Sequence, residues 1–475
     1  MKNRRPLFIV VFIASLTCYA QQERGRGRGG ERMKPGAPEI QVPAHPYDIV
    51  LGRPTKTAIA LSILAYQNRE GFVSYGTSPD KLTEKTPNAQ FKAGEALVVT
   101  LSTLRPDTRY YYQFHSRLEG ATDAEQSPEY SFTTARPPGS PFTFTLQADS
   151  HLDPGTSSDV YRQSLANSLA AKPDFHIDLG DTFMCDKYDD FKDAAPQYLS
   201  QRYYFGLISH SAPVFLVLGN HDGETVDKRG GGPDSMAVWS NSQRKRYFPN
   251  PVPNDFYTGN STPHPVAGLL ENYYAWVWGD AQFIVLDPFW FTTGRSQEGD
   301  NWPRTLGREQ YDWLNRTLEG SHSKFKFVFI HHLAGGESKE GRGGAEAAKY
   351  FEWGGRNLDG TDVFKDKRPG WPKPVHQLLL DHGVSAVFHG HDHLYVKQEL
   401  DGIVYQEVPQ PSSTRGSTRS AEEYGYKSGT LLPSPGVLRI DVAPAMATVR
   451  FIGSKPGTNE PAPIMDSYTI MPGGK

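Results

Sequence analysis

Cysteine is nearly missing: 475 residues hold two, Cys18 and Cys185, too few for a disulfide framework or a thiolate-rich metal site. Charge of one sign is missing as well. The 50 Lys and Arg stand against 53 Asp and Glu, a net charge of -3, which leaves no basic excess to mark a nucleic-acid partner. No apolar run reaches the roughly 18 residues that a membrane span requires, and no internal repeat is present. What remains is 12% aromatic residues with 46 Gly and 37 Pro, the composition of a globular chain with long structured loops. Its length predicts two or three domains.

Lys2, Arg4 and Arg5 precede an apolar run at 7–16 and then Cys18-Tyr19-Ala20, an arrangement that predicts a signal peptide over residues 1–20 and a secreted or periplasmic protein. An acylated Cys18 is the rival reading, but Ser15 stands where a Leu is preferred. Cleavage after Ala20 leaves Cys185 as the one cysteine, expected to be a buried, inert thiol. Residues 21–43, with Arg24-Gly-Arg-Gly-Arg-Gly-Gly-Glu-Arg32, bury too little apolar surface to fold and are expected to be a disordered linker.

From 44 to 137, apolar segments at 57–63, 71–75, 96–101 and 108–114 alternate with turn clusters, and the spacing predicts a small all-β sandwich. Leu104-Arg-Pro-Asp-Thr-Arg-Tyr-Tyr-Tyr112 resembles the tyrosine-corner region of fibronectin type III domains, with 130–134 as a closing strand. With no His, Asp or Glu cluster, this part is expected to be a packing or spacer module. Pro137-Pro138-Gly139 reads as a boundary. Beyond it, 138–475 alternates strands with helical stretches at 158–171, 309–319 and 375–382, an α/β domain. A hairpin at 436–442 and 446–452 should finish a sheet. Long Gly-, Pro- and aromatic-rich insertions between Asp222 and Asn272 and between Gly335 and Pro374 are expected to wall a site.

Five apolar runs of this domain end in polar groups. The run 142–148 leads into Asp149-Ser-His151, 175–179 into Gly180-Asp181, and 214–218 into Gly219-Asn-His-Asp222. Further on, 325–330 leads into His331-His332, and 384–388 into His389-Gly-His-Asp-His393. Sites in α/β sheets form outside the carboxyl ends of strands, so these groups can converge although they are far apart in sequence. The candidate ligands are Asp149, His151, Asp181, Asn220, His331, His391 and His393. Oxygen and imidazole donors without thiolate suit Zn, Mn or Fe. Asp287, ending another apolar run, is expected in a strand-end turn. His45, His115, His176, His210, His264, His322, His376 and His382 are expected at the surface or in a satisfied core.

Asp149-x-His151, Gly180-Asp181, Gly219-Asn-His-Asp222, His331 and Gly390-His-x-His393 resemble the five ordered motifs of the calcineurin-like metallophosphoesterases. The layout, with its all-β module in front, is also similar to purple acid phosphatases. It differs from them at Met184, where they have a Tyr ligand, and at His151, where their first motif has Gly. The resemblance implies that Asp149, His151, Asp181 and His393 hold one metal and that Asp181, Asn220, His331 and His391 hold the other, with Asp181 bridging. His331 is preferred to His332 because the family places its ligand first. Two cations roughly 3.5 to 4 Å apart would present hydroxide to phosphorus for in-line attack. His221 would act on the leaving group or the transition state, with Asp222 orienting its imidazole.

The fold expected is therefore a four-layer α/β/β/α metallophosphoesterase domain behind a fibronectin type III-like sandwich. The function expected is a dinuclear phosphoric ester hydrolase, read as a phosphomonoesterase and acting on a phosphate ester substrate. A phosphodiesterase, a nucleotide or phospholipid hydrolase, and an inactive extracellular binding protein are the alternatives. Every ligand lies downstream of residue 138, so that region is expected to fold and act without 44–136.

Overall fold

The alternation Phe142-Thr-Phe-Thr-Leu-Gln147 sends apolar side chains to one face of a strand and polar ones to the other. In the computed structural model, which describes residues 42–225, 232–336, 340–455, 457 and 461–473, Phe142, Phe144 and Leu146 point into a core shared by two sheets. On the opposite face Gln147 Nε2 donates to Asp178 at 2.7 Å, and Thr145 Oγ1 meets His176 Nδ1 at 2.8 Å. The expected signal peptide, Cys18 and the linker up to residue 41 lie outside the described residues.

The first sheet runs in the order Val214–Leu216, Phe175–Asp178, Phe142–Gln147, Gly436–Ala443, Met446–Gly453, Ile464–Ile470. Its first three strands are parallel and the others antiparallel. The expected hairpin is the Gly436–Ala443 and Met446–Gly453 pair. In the second, eight-stranded sheet, Ala281–Val285, Phe325–Phe329, Ala386–His389 and Ile403–Glu407 form a parallel run. Phe175, Phe215, Trp276, Phe283, Phe327, Phe329 and Phe388 interdigitate between the sheets. Fully burying such a side chain contributes about 1.5–3 kcal/mol, so this aromatic layer holds the two sheets in one register.

Helices cover both outer faces, which gives four layers. Ser158–Ala170, capped by the Ser157 side chain on the Val160 N–H, packs with Ala195–Ser209 through Tyr161, Leu165, Tyr204 and Ile208 over the first sheet. Gly307–Glu319 and Val375–Asp381 set Tyr311, Leu314, Leu318 and Leu378 against Ile284, Val328 and Val387 of the second.

The amino-terminal part is all-β. Tyr47–Gly52, Ile59–Ala65 and Ala96–Leu101 form one sheet, and Arg69–Gly76 and Arg109–Leu118 centre the other. Ile49, Leu51, Leu61, Ile63, Val73, Tyr112, Phe114 and Phe132 fill the space between. The Tyr110 hydroxyl accepts the Arg105 N–H at 2.9 Å, closing the corner that the sequence announces.

The spacer half of the expectation for this module does not hold. Val50 and Leu64 share an apolar cluster with Phe183, Met184, Cys185, Tyr198 and Phe205 of the α/β domain. Arg202, wholly buried, donates to Ser62 Oγ at 2.9 Å, to the Ser62 and Asp48 carbonyls at 2.8 and 3.3 Å, and to the Tyr247 carbonyl. Tyr112 donates to the His210 carbonyl at 2.6 Å, and Tyr257 to the Pro54 carbonyl. A residue from the helix beneath the site is thus satisfied by the backbone of the β module. Deleting residues 42–136 should give an insoluble chain or one without a cooperative melt. In the full chain, Arg202→Ala should lower unfolding free energy by roughly 2–4 kcal/mol in denaturant titration, because several buried carbonyls lose charged donors. A truncated chain that is soluble and melts cooperatively would show the two parts to be separable.

Candidate metal centre

Each parallel strand that was expected to deliver a ligand stops within a few residues of it: Gln147 before Asp149, Asp178 before Asp181, Leu216 before Asn220, Phe329 before His331, His389 before His391. The turns are tight. Asp149, Asp181, His391 and His393 have φ of 58°, 55°, 84° and 59°, a region that costs a residue with a side chain about 1–3 kcal/mol. Gly219 explains how two of these turns approach: a Cβ there would lie 2.0 Å from the Asp181 nitrogen. Gly390 plays the same part beside Ala148 and Asp149, where a Cβ would lie 2.6 Å from the Ala148 Cβ.

Two ligand groups result, Asp149 with His151 and His393, and Asp181 with His331 and His391, the donor atoms of each lying within 4.8 Å of one another. In the first, His151 Nε2 faces His393 Nε2 at 3.2 Å, and His393 Nε2 lies 3.4 Å from Asp149 Oδ1. His151 donates its other nitrogen to Asp153 at 3.0 Å. In the second, His331 Nε2 lies 3.3 Å from Asp181 Oδ2 and 3.0 Å from Asn220 Oδ1, while Nδ1 donates to the Leu179 carbonyl at 2.8 Å. His391 Nε2 donates to the Glu340 carbonyl at 3.0 Å, which leaves Nδ1 as its lone-pair nitrogen. The groups adjoin, since Asp149 Oδ1 is 4.0 Å from His331 Nε2.

These residues fit cations. Asp149 Oδ1 is fully buried without a hydrogen-bond donor, and with Nδ1 of His151 given to Asp153, its Nε2 keeps a lone pair turned toward His393 Nε2 at 3.2 Å. Burial pushes the Asp149 and Asp181 carboxyls up, yet the adjacent imidazoles, His393 and His331 for the first and His331 and His221 for the second, hold both down. Burial likewise pulls His331 down, and Asp181 and Asp149 overcome it and raise it to about 9. The cluster therefore attracts positive charge strongly.

His332 is excluded from the set: its Nδ1 donates to the Leu333 carbonyl at 2.9 Å and its Nε2 accepts from Arg304 at 2.8 Å. His389 turns away to Glu407, with Nδ1 at 2.7 Å from Oε2. Asp287 sits in its turn, accepting the Phe289 N–H at 2.7 Å and the Asn272 amide at 2.6 Å. Cys185 is buried and pushed up to about 12 by desolvation, an inert thiol. The second insertion reaches the centre through Glu340 and through Arg342, which donates to the His391 carbonyl at 3.0 Å and to Asp392 at 2.8 Å.

Asp222 does not orient His221. Its carboxylate accepts four backbone N–H groups, from Gly219 at 2.7 Å, Thr182 and Phe183 at 2.8 Å and Asp181 at 3.1 Å, and so ties two ligand-bearing turns together. The partner of His221 is Asp186, whose Oδ1 accepts from Nδ1 at 2.9 Å. That leaves Nε2 facing the centre, 4.0 Å from Asp181 Oδ2. Nothing in the local pattern separates Asp186 from Asp189 or Asp190; the short helical turn Cys185–Lys187 turns it toward His221.

A two-sheet α/β/β/α core that gathers adjoining oxygen and imidazole groups at its strand ends defines a metal-dependent phosphoesterase. The chain belongs to the calcineurin-like phosphoesterase family, whose model matches residues 142–395, and residues 46–134 match the purple acid phosphatase N-terminal domain. No curated protein matches the chain in a sequence search. Among solved structures it is similar to PhoD, at 14% identity and a TM-score of 0.64, over 91% of this chain and 92% of that one. It is also similar to purple acid phosphatase PPD1 from yellow lupin (Lupinus luteus) seeds, at 15% identity and a TM-score of 0.59, over 89% and 74%. At these identities the likeness concerns the fold. Family and ligand groups together indicate a dinuclear metal centre. Among the described residues no helix is long and apolar enough to cross a membrane.

The two aspartates should separate by experiment. Asp222→Ala should lower both melting temperature and metal content, because four backbone donors lose their acceptor. Asp186→Asn should retain metal and lower turnover. Metal analysis of both variants checks this, and metal loss in Asp186→Asn alone would reverse the assignment.

Proposed function

We propose that the protein is a secreted or periplasmic phosphomonoesterase working with two transition-metal ions. Asp149, His151 and His393 hold one ion, Asn220, His331 and His391 the other, and Asp181 serves both. The donor set, free of thiolate, favours Fe, Mn or Zn. When bound, the pair supplies Lewis-acid charge to the phosphoryl oxygens and lowers the pKa of the attacking water. The chain's own acid is His221: Asp186 holds Nδ1–H and thereby presents Nε2 to the leaving oxygen. The carboxylate also stabilises the imidazolium from which the proton is given. The observation that carries this reading is the juxtaposition of two ligand groups with an aspartate-held imidazole at their edge. The basic, apolar and small-residue order of residues 1–20 supports export.

Metal analysis of purified protein, with parallel assays on an aryl phosphate monoester and diester, tests the reading. Two transition-metal ions per chain and faster monoester turnover are expected; a diester preference would overturn the monoesterase assignment. Asp181→Asn should lose metal and activity together, whereas retention of both ions with near-normal turnover would remove Asp181 from the centre.

His221→Ala should keep both metals and lower turnover by about 10² to 10⁴ on an alkyl phosphate, and by less on an activated aryl phosphate, whose leaving group needs less protonation. Equal losses on both would make His221 a stabiliser of the phosphoryl oxygens instead.

A further inference from the structure

His391 owes its ligating nitrogen to a residue outside the ordered motifs. Its Nε2 lies 3.0 Å from the Glu340 carbonyl, and since a carbonyl oxygen only accepts, the proton sits on Nε2 and the lone pair on Nδ1. His331 is set in the same way by the Leu179 carbonyl, which directly follows the strand Phe175–Asp178 and is held by it. Glu340 has no strand behind it. It stands in the second insertion, so its carbonyl stays on the imidazole only if the insertion is fastened there.

Arg342 supplies the fastening. Its Nη1 donates to the His391 carbonyl at 3.0 Å and to Asp392 Oδ1 at 2.8 Å, its Nε donates to Glu340 Oε2 at 2.9 Å, and its guanidinium carbon lies 4.2 Å from the centre of the Tyr424 ring. Asp392 is itself pinned, accepting the Gly343 N–H at 3.0 Å and the Tyr426 hydroxyl at 2.8 Å while its own N–H goes to Glu407 at 2.9 Å. Between Glu340 and Arg342, Gly341 has φ 87°, and a Cβ there would lie 3.3 Å from the His332 ring. Three consecutive residues thus rest on the wall of the second ligand group: Glu340 on the His391 imidazole, Gly341 on His332 and Arg342 on the His391 backbone.

We propose that Arg342 is a positioning residue that seats this strap, and that the strap, by holding the Nε2 proton of His391, governs how firmly the second ion is bound and leaves the first unaffected. The inference rests on the two-ion reading above. Two effects of the guanidinium oppose each other. As a cation beside a cation site it weakens binding, and as the fastening of a ligand's outer partner it strengthens it. Asp392 and Glu340 answer its charge at 2.8 and 2.9 Å, the first of them buried, so the fastening prevails. Without it the Glu340 carbonyl leaves the imidazole, both tautomers of His391 become accessible, and only one of them presents Nδ1 to the ion.

The test uses the full chain loaded with zinc and dialysed against graded chelator, with the ions that remain counted by native mass spectrometry. Two release steps are expected, and the step missing from His391→Ala belongs to the second ion. Arg342→Ala should weaken that step about 10- to 100-fold and leave the other unchanged. Arg342→Lys, which keeps a cation for Asp392 but lacks the planar fork, should lie between. Gly341→Ala keeps the guanidinium and lifts the strap, so it should weaken the same step, and it decides the matter if Arg342→Ala does not fold. Proton–nitrogen NMR supplies a readout independent of ion counting: the His391 Nε2–H should exchange slowly with solvent, and about tenfold faster in Arg342→Ala. A tighter second step in Arg342→Ala would make Arg342 a repelling charge, equal weakening of both steps would make it a general support, and either would overturn the proposal, as would no change. A chain that retains no zinc yet shows Arg342-dependent protection of the His391 N–H would uphold the seat and overturn the two-ion reading.

Discussion

One buried carboxylate governs the geometry of the centre. By accepting N–H groups from Gly219, Asp181, Thr182 and Phe183, Asp222 joins the turns after two neighbouring parallel strands. Those turns carry Asp181 and Asn220, and between them they also place Asp186 opposite His221. A carboxylate has enough lone pairs for four donors, and a backbone N–H left unpaired in this interior would cost about 1–3 kcal/mol. The left-handed backbone at Asp181 is tolerable because this cluster over-determines it.

The aromatic layer extends the same constraint to the second sheet. Phe144, Phe283 and Phe329 pack across the interface, so the strand that ends before His331 sits at a fixed height relative to the strand that ends before Asp149. Close packing transmits position, which is why ligands from separate sheets can meet within a few ångström. The β module adds to this from outside. Through Arg202 it holds the helix Ala195–Ser209, whose Gln201 side chain donates to the Ser150 and Thr182 carbonyls at 3.1 and 2.9 Å. The module is thereby connected to two ligand turns without contributing a ligand.

Two later segments approach the centre from different directions. The insertion around Arg342 fastens the turn of His391 and Asp392, with Gly343 donating to Asp392 at 3.0 Å. The loop around Ser412 fastens the turn of His151. Among the described residues neither supplies a ligand, and the first secures His391, which stands on left-handed backbone. Such segments can change in sequence without disturbing the ligand set, and so can tune what reaches it.

Periodicity was enough to locate the ligand-bearing strands, because alternation and short apolar runs are local properties that burial enforces. The ordered motifs named Asp149, His151, Asp181, Asn220, His331, His391 and His393, and the fold brings six of them into two candidate ligand groups with Asn220 3.0 Å from His331. Their residue types and positions at strand ends already encode convergence. The partner of His221 was not legible. Asp222 is adjacent in sequence, but its side chain is captured by backbone donors that only the folded turns bring together, while Asp186 arrives from another turn. The docking of Arg202 was equally hidden, since an arginine in a helix looks solvated until the β module places carbonyls around it. Sequence thus determined which groups could perform the chemistry. Tertiary structure decided which carboxylate touches which imidazole, because hydrogen-bond partners are chosen by distance in space and not by separation along the chain.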